Sequence, residues 1–330
     1  MNTVLLLGMG PTALSALESL AARFRVAGLV REAGSPPGGS DEVLDRARAL
    51  GVPVLSDLSI QGVEQAVIQS RPDCVVVSSY NRILPSRILT RCRFVNVHYS
   101  PLPEYRGRAN VSWAIINGES DTAITVHVLA PGLDAGNVLY QQRVPIGPDD
   151  TVTDLYARLN QVQREILGDT VARHVAGYEG TPQEEAGASY GCTRVAADGE
   201  IDWAASTRQI YALIRALATP YPGAHTYLES RRIAIVRAVP LAQAPRYVGR
   251  VPGRVVGRSA RDGHVDVLTG DGVLRIHEVA AAGSAAGPAT SFIGSTRQTL
   301  GLRTADLLAR IDQLESRLNP PDGGGGIPAR

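Results

Sequence analysis

The 330-residue chain contains no lysine; all 33 basic side chains are arginine. That excludes a Schiff-base lysine, with most pyridoxal-phosphate chemistry, and the lysine of a Walker-type phosphate loop. The wealth of Ala, Arg, Gly and Pro reads as the mark of a GC-rich genome. Cysteine is scarce. Cys74, Cys92 and Cys192 lie far apart with no C-x-x-C spacing. A disulfide framework and a cysteine-built zinc site are disfavoured, and a reducing cytoplasm is expected. Neither sign of charge dominates: the net charge is +1, so no global attraction to nucleic acid or anionic membrane follows. No apolar run approaches the ~20 residues that cross a bilayer. The short run Thr3–Leu7 lacks a positive flank and stops at Gly8-Met9-Gly10-Pro11, so it reads as a first strand and not as a signal peptide.

What is present is a globular composition, 44% hydrophobic and 20% charged, long enough for two cores. Through the first half, short apolar strands (3–7, 25–30, 52–55, 74–78) alternate with helical patterns (to about 22, 42–50, 61–69). Asp41 stands where it would cap the second helix. Strands apolar on both sides call for a parallel sheet covered on both faces. The segment 122–130 alternates like a strand, and a long helix runs from about 150 to 177. A Thr/Pro/Glu/Gly stretch over 180–191 reads as a linker. Beyond it come one helix (206–217) and strands at 225–228, 233–239, 253–257, 265–268 and 273–279, with Arg261-Asp262-Gly263 and Gly270-Asp271-Gly272 at reversals. The expected fold is α/β: a Rossmann-like, doubly wound, mostly parallel sheet over 1–185. A small OB-like β-barrel over 186–300 follows. Residues 301–330 supply an amphipathic helix, with Leu307, Ile311, Leu314 and Leu318 at heptad-like spacing, then Pro320-Pro321 and a disordered tail over 323–330. The apolar stripe points either to a homodimer or to packing back on the barrel.

Gly8-x-Gly10 lacks the third glycine of a dinucleotide fingerprint, and Arg31 stands where the second strand would need an acid. Nicotinamide binding is disfavoured, although a helix start there suits an anion. More telling is Val95–Gly107, V-N-V-H-Y-S-P-L-P-E-Y-R-G, followed by P-G-L-D-A-G over Pro131–Gly136. On a strand, Asn96 and His98 share a face, at the strand end where ligands gather in open α/β sheets. Asn96 offers an oxyanion donor, and a neutral His98 a proton acceptor. Asp134, between glycines, is placed to orient the imidazole and raise its pKa. The set suits attack by an amine on a carbonyl carbon. His127, His174, His225, His264 and His277 read as structural.

Asn96-x-His98-x-Ser100-x-Leu102-Pro103-x-x-Arg106-Gly107, Trp113-Ala114-Ile115 with Asn117-Gly118-Glu119, and Gly132-Leu133-Asp134-Ala135-Gly136 together resemble the transferases that use 10-formyltetrahydrofolate. The resemblance runs in order over roughly residues 1–300, with Pro101 as one departure. It implies that 1–185 is the catalytic domain, that Asn96, His98 and Asp134 are the catalytic triad, and that the co-substrate is 10-formyltetrahydrofolate without a metal. It further implies a pterin slot walled by Ser79, Tyr80, Arg82, Ile83 and Leu84 on one side and by Val128, Leu129, Gly132 and Leu133 on the other. Ile83 and Leu84 also suit plain core packing. Acceptor binding is expected at Gly8, Gly10, Tyr105, Arg106, Gly107 and Asn110. Among relatives, the stretches Tyr105–Trp113, Gly199–Trp203 and Pro220–Ala224 look closest to formyltransferases of amino sugars and natural products. The expected partner is therefore a small-molecule amine, with no nucleic acid and no membrane. The alternative is methionyl-tRNA formyltransferase, since Arg231, Arg232, Arg237, Arg246, Arg250, Arg254 and Arg258 offer a basic surface. A hydrolase using the same three residues, and a non-catalytic binding protein on this fold, are further readings.

Overall fold

The computed structural model describes residues 1–32, 41–229, 231–281 and 283–318. Most of the segment between the second strand and the second helix, and the proline stop and tail expected over 320–330, lie outside the described residues. The chain divides into two compact units, Met1–Arg194 and Val195–Arg330.

In the first unit the order is β1 (Thr3–Gly8), α1 (Gly10–Ala21), β2 (Arg25–Val30), α2 (Glu42–Ala49), β3 (Val54–Leu55), α3 (Ile60–Ser70), β4 (Cys74–Ser78), α4 (Ser86–Leu89), β5 (Arg93–His98), β6 (Arg106–Gly107), α5 (Asn110–Ile116), β7 (Asp121–Val128), β8 (Val138–Pro145), α6 (Val152–Val175) and β9 (Tyr190–Gly191). The seven-stranded sheet runs β3-β2-β1-β4-β5-β7-β8. Its strands are parallel up to β5, and β7 and β8 are antiparallel additions. Val4–Leu7 and Val75–Val77 are buried, which is why these strands carry unbroken apolar runs. Caps match the sequence. Asp41 accepts from the Val43 and Leu44 amides at the start of α2, and Thr151 and Asp154 form a capping box on α6. Gly8 is required where β1 ends: a Cβ there would lie 2.1 Å from the Ser78 carbonyl oxygen.

The segment 180–191 is tied into the first unit, and the division falls between Arg194 and Val195 instead of at 185/186. Tyr190–Gly191 pairs with Arg106–Gly107 as β9 on β6, and the Arg106 guanidinium binds Glu185 through two hydrogen bonds.

The second unit contains α7 (Thr207–Ala216), β10 (Ala224–Leu228), β11 (Arg231–Pro240), β12 (Val255–Ser259), β13 (His264–Leu268), β14 (Val273–Ala281), β15 (Gly287–Pro288), α8 (Ala289–Phe292) and α9 (Thr304–Leu318). Its strands form an antiparallel sheet in the order β10-β11-β14-β13-β12, with β15 on β14. Ile210 and Ile214 of α7 join Ile233, Ile235, Val265, Val267 and Ile276 in its core. No helix among the described residues is long and apolar enough to cross a membrane.

Candidate active site

The site grows from the junction where the sheet changes direction. β5 runs beside β4 in parallel and beside β7 in antiparallel register, with Asn96 opposite His127 and His98 opposite Thr125. Residues two apart on a strand share a face, and so do directly paired residues. Asn96, His98 and His127 therefore project together. The Asn96 amide nitrogen lies 3.1 Å from His127 Nε2. His127 Nδ1 lies 3.0 Å from the Val128 carbonyl. An acceptor there puts a ring proton on Nδ1; in the neutral ring Nε2 receives the Asn96 N–H, and in the protonated ring it faces Asp134 as a donor.

Asp134 arrives from the β7–β8 connection. It holds a left-handed backbone, φ 49°, after Gly132 at φ 106°. Gly136 closes the neck of this loop, because a Cβ there would sit 1.9 Å from the Val128 carbonyl oxygen. The Asp134 carboxylate meets Asn96 Nδ2 at 3.5 Å and His127 Nε2 at 3.6 Å through Oδ1. Through Oδ2 it accepts the Gly107 N–H at 2.9 Å and faces His98 Nδ1 at 3.7 Å. Burial, the largest influence, pushes this carboxyl up. The His127 contact, the neighbouring imidazoles and the Gly107 N–H outweigh it and hold the group at about 2.

His98 is buried, and burial lowers its pKa from the usual 6.5; Asp134 and the Tyr105 carbonyl push upward without reversing that. The expectation that Asp134 would raise the imidazole pKa is correct as a contribution, but desolvation governs the net direction. His98 Nε2 lies 2.9 Å from the Tyr105 carbonyl oxygen and 2.8 Å from the Asn110 amide nitrogen. The carbonyl calls for a proton on that nitrogen and the amide for a lone pair, so only one is satisfied at a time. With the proton on Nε2, Nδ1 faces the carboxylate as an open acceptor. A gap of 3.7 Å is too long for a direct hydrogen bond, so the carboxylate acts on the ring through its charge.

Other expected residues fall in three positions. Gly107, at φ 97°, supplies backbone to Asp134. The Tyr105 hydroxyl donates to Glu119 at 2.6 Å and accepts from Asn117. Arg106 is almost wholly buried and turned toward Gln183, Glu185 and Tyr190. Gly8 lies against Ser78, and Gly10 opens α1 at φ 66°. On the slot side, Leu84 is core, with Tyr80 and Leu129 packed against the same cluster, so the 79–85 and 128–134 segments meet. The Tyr80 hydroxyl donates to the Leu58 carbonyl. Ser79 has a left-handed φ of 69°, and Ser79, Arg82 and Gly132 are exposed while Val128 is half-buried. Ile83, 88% exposed, and Leu133, 51% exposed, present bare apolar surface. Arg108 hydrogen-bonds the Asn81 carbonyl and joins the 79–85 loop to the 105–110 segment.

Two contributors were missed in the sequence: His127, which was expected to be structural but meets Asn96 and Asp134, and Gln183. His127 was legible: alternation in T-A-I-T-V-H-V places Thr125 and His127 on one face of an otherwise apolar strand. Gln183 carried no signal. Its side-chain amide donates to the carbonyls of Asp134 and Gly136, each at 2.7 Å, while its oxygen accepts from Arg106 at 3.0 and 3.3 Å. Among the described residues no three His, Cys, Asp or Glu side chains gather as a metal-binding group.

The Formyl transferase domain matches residues 56–171, and the Formyl transferase, C-terminal domain matches residues 195–297. Methionyl-tRNA formyltransferase from Citrifermentans bemidjiense is 31% identical over 299 residues, covering 87% of this chain and 90% of that protein. Among solved structures, HypX from Aquifex aeolicus in complex with tetrahydrofolic acid gives a TM-score of 0.62 at 18% identity, covering 89% of this chain. The chain spans about half the length of that protein, 47%. The N-formyltransferase from Helicobacter canadensis, in complex with folinic acid and dTDP-3-aminofucose, gives 0.62 at 18% identity, covering 84% of this chain and 98% of that one. With both domains matched and a relative aligned across nearly its whole length, the chain belongs to the formyltransferase family and is a folate-dependent formyltransferase, its formyl group coming from formyl-tetrahydrofolate.

Proposed function

We propose that this enzyme transfers the formyl group from 10-formyltetrahydrofolate to the primary amine of a small acceptor, an amino sugar carried on a nucleotide or a natural-product amine. The observation that carries the choice of acceptor is the charge of the second unit. Sixteen arginines stand against twelve acidic residues over 195–330, and many of those arginines are engaged within the fold. Arg237 pairs with Glu278 and Arg275 with Asp266. Arg250 and Arg258 bond backbone carbonyls, and Arg254 bonds Thr299. A surface that grips polyanionic RNA works through clustered cations free to meet phosphates. The fold of the Helicobacter canadensis enzyme, matched over nearly its full length, supports the same reading.

In this scheme Asn96, His98 and Asp134 are the catalytic residues. The unprotonated amine attacks the formyl carbon, and Asn96 donates to the oxygen that gains negative charge. His98, neutral at the outset, takes the proton the amine loses, with Asp134 compensating the imidazolium. The tetrahedral intermediate then collapses, the bond from carbon to the folate nitrogen breaks, and that nitrogen takes the proton back. The formylated acceptor and tetrahydrofolate leave. The pterin lies between the 79–85 and 128–134 segments, against Ile83, Leu84, Val128 and Leu133. Free thiols at Cys74, Cys92 and Cys192 go with a cytoplasmic setting.

Methionyl-tRNA formyltransferase is the second reading, favoured by the 31% identity over 299 residues. One experiment separates them: incubation with 10-formyltetrahydrofolate and, in separate reactions, nucleotide-linked amino sugars, amine metabolites and charged initiator methionyl-tRNA. Products are read by the mass gain of one CO. Formylation of an amino sugar or amine metabolite is expected. Exclusive formylation of the tRNA overturns the small-molecule reading, and formate release independent of any amine indicates a hydrolase.

A further inference from the structure

α9 lies beyond the residues matched by the C-terminal family domain, which end at 297. Leu307, Ile311, Leu314 and Leu318 recur along it at spacings of four, three and four, the seam of a coiled coil. A helix that served its own domain would bury that seam. Instead, Leu307, the best covered of the four, is 41% exposed and Leu318 is 79% exposed. The other described residues of α9 are exposed as well. A continuous aliphatic stripe facing water is unfavourable in proportion to its area and marks a surface that meets a partner.

The chemistry around the stripe identifies the occupant. With Ile311 and Leu318 at the a positions and Leu307 and Leu314 at d, the central layers combine a β-branched a residue with leucine at d. That pairing favours two parallel strands. The flanking g positions are Arg310 and Arg317, and the e positions are Leu308 and Glu315. In a parallel pair each g residue faces the e residue five places later on the other helix, so Arg310 meets Glu315 of a second copy, twice by symmetry. An antiparallel pair sets g against g, arginine against arginine. We infer that α9 pairs in parallel with α9 of a second copy of this chain, making a dimer of formyltransferases joined through a two-heptad coiled coil. Two heptads are close to the lower length at which a helix persists alone, so the association is weak and depends on concentration. The catalytic residues of each copy work independently of it.

Sedimentation equilibrium of the full chain over a roughly hundredfold concentration range tests this, because mass action then moves the monomer–dimer balance. The mean mass is expected to rise from monomer toward dimer. Ile311→Asp and Leu314→Asp, at positions exposed in the single chain, are expected to give monomer throughout with unchanged turnover per chain. Arg310→Glu and Glu315→Arg are each expected to weaken the dimer, and R310E/E315R together to restore it. A wild-type chain that stays monomeric, a dimer that survives Ile311→Asp, or a double swap that fails to restore association overturns the inference.

Discussion

Gln183→Leu removes a side chain whose hydrogen bonds run to two backbone carbonyls and to Arg106, and the loop carrying Asp134 depends on it. One amide donates to two carbonyls at 2.7 Å, those of Asp134 and Gly136. Its oxygen also accepts two hydrogen bonds from Arg106, so at about 0.5–1.5 kcal/mol net for each of the four bonds lost the substitution is expected to lower stability by about 2–6 kcal/mol. The larger effect falls on turnover. Asp134 keeps its bond to the Gly107 N–H but loses the anchor on its own carbonyl, and a shift of about 1 Å at a reacting group lowers rate by about 10²-fold. A fall of roughly 10- to 100-fold in kcat/KM is expected, carried by kcat, since Gln183 touches no reacting atom. Gln183→Glu sharpens the interpretation. Its carboxylate still pairs with Arg106 but has no N–H for the carbonyls, so it is expected to be no more active than Gln183→Leu. The assay follows conversion of 10-formyltetrahydrofolate to tetrahydrofolate with the acceptor chosen by the panel above, beside thermal unfolding of each variant. Combining Gln183→Leu with Asp134→Asn is expected to be less damaging than the product of the two separate effects, because both act through one carboxylate. Wild-type kcat in Gln183→Leu, or fully multiplicative losses in the pair, refutes the positioning role.

Asn96→Ala and His98→Ala are each expected to reduce kcat by about 10²–10³-fold while folded secondary structure, followed by circular dichroism, is retained; full activity of His98→Ala would refute the scheme. Since burial lowers the His98 pKa, the acidic limb of kcat/KM against pH is expected below 6.5. Asp134→Asn, by removing the group that pushes that pKa upward, is expected to move the limb lower still. The same shift acts on stability: as pH falls below 6.5 the unfolded chain binds the imidazole proton first, so stability declines toward the lower folded value. Asp134 contributes in the same sense at lower pH, with stability present above 3.8 and lost as pH falls toward about 2; urea midpoints against pH report both. Gly136→Ala is expected to destabilise strongly and to displace Asp134, because its Cβ would meet the Val128 carbonyl at 1.9 Å; unchanged kcat and melting temperature would contradict this.

Much of the molecule is legible from residues alone. Runs such as Val4–Leu7 and Val75–Val77 announce parallel strands because both their faces are covered. Asp41 and Thr151 announce helix starts because their side chains satisfy otherwise unpaired N–H groups. Asn96 and His98 were readable through strand periodicity and Asp134 through its glycines, and the structure brings the three together. β8 was missed because V-L-Y-Q-Q-R-V-P at a sheet edge has an exposed, polar middle and no clean alternation. Short α5 lay hidden behind the left-handed Ala109 that precedes it. The linker expected over 180–191 shows a further limit: Thr, Pro and Glu look like a tether, and only the buried Arg106 reveals that this stretch is a structural brace. Gln183 acts through backbone carbonyls on a loop distant in sequence, a contact that no local pattern encodes.

The change of strand direction between β5 and β7 has a thermal corollary. Asn96, His98 and His127 are fixed by ladder hydrogen bonds in the middle of a sheet, whereas Asp134 rides on a hairpin tip secured by side chains. Warming therefore loosens the carboxylate side first and leaves the imidazole side in register. Activity should fade at temperatures where calorimetry still records an intact domain, and amides over 131–136 should exchange with deuterium well before those of 94–98.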